Sequence, residues 1–79
     1  MRIIDRVYGH QLFFNQSHTH KATEIRMNSR LWDALNSELS PKEASIYIRL
    51  PGEAGGDIQL MNMKMILDET VPIAALRLS

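Results

Sequence analysis

The clearest pattern in the chain runs from residue 29 to 39. Leu31, Leu35 and Leu39 recur at helical spacing with Trp32 beside them, and together they make one apolar stripe. Asn28 or Ser29 can cap this helix, and Ser40-Pro41 stops it. Just before it, Thr23, Ile25 and Met27 alternate with Glu24 and Arg26, which is the period of a half-buried strand. At the start of the chain, "RIIDRVY" and "QLFFN" flank Gly9-His10, and a glycine in the first turn position suits a tight hairpin that needs positive φ. The expectation is two strands there, with adjacent Phe13 and Phe14 pointing to opposite sides of the second.

Beyond the helix the signals conflict. "SPKE" is a capping box, with Ser40 as cap, Pro41 at the first helical position and Glu43 at the third. "SIYIRL" then alternates Ile46, Ile48 and Leu50 with Ser45, Tyr47 and Arg49, and its β-branched and aromatic residues favour a strand. One helical turn at most, followed by a strand, fits both. "PGEAGG" at 51–56 is a hairpin turn whose glycines supply unusual backbone angles. In "DIQLMNMKMIL" a single strand would carry Ile58, Leu60 and Ile66 on one face and Met61, Met63, Met65 and Leu67 on the other. A strand is favoured over a helix here, and "VPIAALRLS" closes the chain as an edge strand or a short helical turn.

The elements predict an α+β domain spanning residues 1–79. They amount to an antiparallel sheet of about four to five strands with one principal helix packed on one face, order roughly ββ(β)αββ. One helix covers one face, so in a strand apolar on both sides Met61, Met63 and Met65 are either ordinary gap-filling core or a face for another chain to bury.

Composition narrows the functional classes. At 79 residues and 44% hydrophobic content, only a small core is possible, and a roomy internal active site is not expected. Nine basic and nine acidic side chains cancel, so no global charge draws the chain to nucleic acid or lipid. Without cysteine there is no disulfide, thiol nucleophile or cysteine-bound zinc, and self-association as a homodimer becomes an expectation. No secretory leader and no membrane-length apolar run is present, which predicts a cytoplasmic protein with no membrane partner. No serine sits in a nucleophile-elbow pattern and no glycine-rich loop has a lysine placed to cradle phosphate. No enzyme activity and no cofactor is expected.

Two local motifs resemble known families. In a strand, His18, His20 and Glu24 share a parity and could face one metal ion. Their spacing resembles the first metal motif of cupins, over residues 18–24 only. No later histidine supplies that family's second motif, so its function is not carried over. The competing reading of "NQSHTHK" is a polar connection between strands. Residues 23–50 weakly resemble a ribbon-helix-helix repressor: an alternating strand, a capped helix, then a second helix begun at Ser40. That resemblance implies a dimeric ribbon presenting Glu24 and Arg26 to the major groove, with Arg30 nearby.

The favoured function is a small non-enzymatic protein-interaction module, of the kind that serves as a bacterial, phage or plasmid regulator or inhibitor. Its candidate protein-binding residues are Phe13, Phe14, Trp32, Met61, Met63 and Met65. The alternatives are a DNA-binding regulator using Glu24, Arg26 and Arg30, and a metal-binding protein using His18, His20 and Glu24.

Overall fold

The computed structural model describes residues 1–52 and 55–79. Helix α1 (Ile3–Ser17) leads into strand β1 (Glu24–Met27), helices α2 (Ser29–Glu38) and α3 (Pro41–Tyr47), then strands β2 (Ile48–Arg49), β3 (Gln59–Leu60), β4 (Met63–Leu67) and β5 (Arg77–Leu78). The strands form one sheet in the order β2-β3-β4-β1-β5. The class is α+β as expected, and the sheet has the expected size. Its pairing and helix content differ from expectation.

The first correction is at the N-terminus, where one helix replaces the hairpin. Ile4, Val7, Gln11 and Phe14 follow the three-four spacing of a helix face, and Ile4 and Val7 are buried. Gly9 lies mid-helix with open space around it and does not form a turn. Glu38 Oε1 accepts from the Ile4 amide at 2.8 Å, satisfying one of the orphan donors at the start of α1 with a favourable charge. Gln11 Nε2 donates to the Met61 carbonyl (3.0 Å), and Asn15 Oδ1 accepts from the Ala22 amide (2.8 Å). Tertiary contacts therefore hold a helix across a segment whose β-prone residues argue for strand.

The middle of the chain follows the sequence more closely. Asn28 caps α2 through Oδ1, which accepts from the Arg30 amide at 2.9 Å. The Ser40 capping box forms in full, but α3 extends further than the single turn expected before β2 takes over. The 51–56 turn lies partly outside the described residues; within them, Gly52 bridges Gly55, and Gly55 and Gly56 take positive φ.

The second correction concerns 57–67, which folds as a hairpin and not as one strand. Met61 and Asn62 adopt φ of 50° and 67°, so the chain reverses between Leu60 and Met63. A two-residue turn shifts parity, and Leu60 and Met63 become cross-strand partners on the same face. The third correction is that the sheet is mixed: β4 pairs parallel to β1, while the other pairings are antiparallel. The route from β1 to β4 passes through α2, α3 and the outer hairpin, a crossover long enough for parallel pairing.

One core results. Ile4 and Val7 of α1, Leu31 and Leu35 of α2, and Leu39 cluster with Ile25, Met27, Leu60, Met63 and Met65 from one face of the sheet. Among the described residues, helices cover that face only. No helix among the described residues is long and apolar enough to cross a membrane.

Candidate binding surfaces

The uncovered face is set by strand parity. Ile25 and Met27 point into the core, so Glu24 and Arg26 point away; Met63 and Met65 point in, so Lys64 and Ile66 point away. Register then assembles the outward residues into two rows. Arg49 pairs with Gln59, Gln59 with Lys64 and Lys64 with Glu24; Ile66 pairs with Arg26, and Arg26 with Arg77. Arg49, Lys64, Arg26 and Arg77 thus stand on one open surface around the half-buried Ile66.

The acids on or beside this surface neutralise only part of it. Arg26 lies 3.5 Å from Asp68 and Lys64 lies 3.8 Å from Asp57. Arg49 and Arg77 make no ion pair among the described residues. Arg26 and Arg77 are direct cross-strand neighbours, an arrangement that disfavours the isolated sheet by a few tenths to about 1 kcal/mol. Asp68 is itself held in its charged form. The Thr70 hydroxyl and amide both donate to Asp68 Oδ1, and with Arg26 they keep its carboxyl below the usual range.

At the β2 end, Arg49 and Gln59 also line a hollow of about 150 Å³ with Ser45, Ile46 and Asn62. A second hollow of about 200 Å³ lies against Asn36, Ala44, Ile48 and Leu50.

The candidate metal ligands do not converge. His18 caps α1 with its ring stacked on Phe14 at 3.7 Å between centroids, and its Nδ1 is 3.0 Å from the Phe14 carbonyl. His20 turns its Nδ1 to the Lys21 carbonyl, 6.1 Å ring to ring from His18. Glu24 instead accepts from Ser79 Oγ at 3.5 Å. The strand-parity argument fails because His18 ends a helix and β1 begins only at Glu24. Among the described residues no three His, Cys, Asp or Glu side chains form a metal-binding group.

The ribbon-helix-helix set is separated as well. Strand, helix and helix do follow one another over 24–47, and Glu24 and Arg26 do share a face. But β1 has β4 on one side and β5 on the other, which leaves no edge for a second chain's ribbon, and Arg30 sits on α2.

The apolar set divides. Met63 and Met65 are buried in the core, and Met61, Trp32 and Phe14 are partly buried against it. This corrects the expectation of an exposed methionine row, because the turn at 61–62 places Leu60, Met63 and Met65 together under the helices. Phe13 alone of that set is open to solvent, at 71% exposure. The sequence reading missed Lys64, Arg77 and Arg49. For Lys64 the signal was the alternation in "MKMIL", legible once the chain reverses at Met61-Asn62.

Scans of protein-family models, curated proteins and solved structures find no match to this chain.

Proposed function

We propose that the chain is a non-enzymatic protein-interaction module, a small regulator or inhibitor that docks its open sheet face on an acidic surface of a protein partner. The observation that carries the reading is the pairing of Arg26 with Arg77, beside Lys64 and Ile66, on a face no helix covers. Arginine around an apolar centre is a composition that interfaces favour. Carboxylates from a partner would relieve the repulsion between the two arginines and steer encounter.

A nucleic-acid partner is the weaker reading. The face includes Glu24 and is rimmed by Asp57 and Asp68, so its cations are interspersed with acids. None of its residues is aromatic, so it offers no platform for stacked bases. The net charge of the chain is zero.

The test is capture from a bacterial lysate by tagged wild-type chain and by an Arg26→Glu, Arg77→Glu variant, with melting temperature as the fold control. A stoichiometric protein held by the wild type, released by salt and lost from the variant supports the reading. Nuclease-sensitive capture, or capture indifferent to the reversal, overturns it.

A further inference from the structure

The edge of the sheet at β2 carries a second, more specific feature. Among the described residues strand β2 pairs with β3 alone, so its other side carries no strand there. Met61 donates its amide to the Tyr47 carbonyl at 2.8 Å, which makes Tyr47/Met61 and Arg49/Gln59 the hydrogen-bonded pairs of this ladder. By alternation, the backbone groups of Ile48 and Leu50 point to the free edge. The Ile48 amide is taken by the Ala44 carbonyl, and among the described residues the Ile48 carbonyl and the Leu50 amide have no backbone partner.

The two hollows adjoin this edge, sharing Ser45 and Ile48, and differ in the rest of their lining. One is lined by Arg49, Gln59 and Asn62 together with Ser45, Ile46, Tyr47, Ile48 and Met61, with no carboxylate among the described residues. The Arg49, Gln59 and Asn62 side chains donate no hydrogen bond within the described residues. The other is walled by Ala44, Ile48 and Leu50 with Asn36 and Ser45, and Leu50 is 69% exposed. A strand laid along β2 would send successive side chains alternately to the two faces of the sheet.

We infer that β2 accepts an extended peptide from the partner as an added strand, with an acidic side chain at Arg49 and the next, apolar, side chain against Leu50 and Ala44. Charge complementarity selects the acidic residue, and backbone pairing at Ile48 and Leu50 sets the register. Pro51 ends the edge, so the paired stretch is short. The inference rests on the reading of the chain as a protein-binding module, and it uses Arg49 and the edge where the docking face uses Arg26 and Arg77.

The probe is a fluorescein-labelled hexapeptide alternating valine and glutamate, titrated with the full chain and followed by anisotropy. Saturable binding is expected. It should weaken about tenfold or more with Arg49→Glu, the size of a lost charge-assisted hydrogen bond. A valine–lysine peptide, and a valine–glutamate peptide N-methylated at alternate amides, should not bind the unaltered chain. Binding that survives N-methylation or Arg49→Glu, or no binding at all, overturns the added strand. So does concentration-dependent dimerisation of the wild type that Leu50→Asp abolishes and the peptide fails to compete, because the edge would then belong to a second copy. If the peptide fails while capture still depends on Arg26 and Arg77, this inference falls and the docking face stands.

Discussion

The covered and open faces of the sheet come from the same strands, with neighbouring residues assigned to opposite duties. Met63 is wholly buried and Lys64 beside it is exposed; Ile25 is wholly buried and Arg26 beside it is exposed. The covered face is apolar throughout, and its side chains gain by leaving water. The open face keeps its cations hydrated and places two arginines side by side, which lowers intrinsic stability slightly. The contrast teaches that the buried core and the proposed docking face are separated by a single step along a strand, and substitutions on the two faces should differ in kind as well as size.

The largest expected effect tests that separation directly. Met63→Glu puts a carboxylate where no water reaches, and it should cost more than about 4 kcal/mol and abolish cooperative unfolding of a native state. Lys64→Gln, one residue on, should change stability by less than about 0.5 kcal/mol. Urea denaturation followed by circular dichroism reads both. A folded, monomeric Met63→Glu variant would show that the methionine lies on a surface after all.

Asn28 is the exception that sharpens the rule. It shares the parity of Glu24 and Arg26, yet it is buried, because the chain leaves the sheet there and enters α2. Its Oδ1 caps the helix and its Nδ2 donates to the Val71 carbonyl at 3.2 Å. Asn28→Ala removes the cap and strands a carbonyl, for an expected loss of about 2 kcal/mol. Asn28→Ser keeps a capping oxygen and loses only the donor to Val71, so it should fall between Ala and wild type in the same denaturation series.

These cases also mark what was legible in advance. The leucine stripe of α2, its Asn28 cap, β1 and the Ser40 capping box are local patterns, each complete within a few residues, and each is present. The turn at Met61-Asn62 was hidden because neither residue is glycine. Met61 tolerates the left-handed region only with tertiary support: its amide is bound by the Tyr47 carbonyl, its carbonyl by Gln11, and its side chain packs on the core. The parity flip it imposes moved the methionines inward and Lys64 outward. The open face was therefore illegible for the same reason that the methionine row was misread. The open face also depends on a parallel pairing of β1 with β4 across a long crossover, which no local pattern announces. The N-terminal helix was masked by Gly9 and by the paired Ile3-Ile4 and Phe13-Phe14, which read as strand when taken alone.

Gly9 offers a smaller test, of the layer that covers the core. In α1 it has helical surroundings with nothing within contact of an added Cβ, so Gly9→Ala should stabilise the chain by about 0.5–1 kcal/mol. A hairpin at the same place would need positive φ and would lose stability on the same change. The sign of the shift in the urea midpoint thus distinguishes the covering helix from two extra strands.

The smallest effect is on the acid side of the pH profile, and it couples the open face to stability. Asp68 is held below its usual pKa by the Thr70 hydroxyl first, then by the Thr70 amide and Arg26. Glu43 is lowered first by the Ser40 amide and then by Arg2, with which it pairs at 2.8 Å. A carboxyl whose folded pKa lies below its unfolded one binds fewer protons when folded. Its contribution is complete above the unfolded values, about 3.9 for Asp and 4.3 for Glu, and is lost as pH falls through the lower folded values. The melting temperature should therefore be flat above about pH 5 and decline below it. Asp68→Asn and Glu43→Gln should each lower the plateau slightly and make the decline shallower, because the titrating group is gone while the rest of the fold remains. Protonating Asp68 also frees Arg26 beside Arg77, so added salt should restore more of the loss in acid than at neutral pH, by screening the two arginines. An acid limb unchanged in Asp68→Asn would show that the Thr70 and Arg26 contacts contribute nothing to folding, and that the open face is held by its backbone ladder alone.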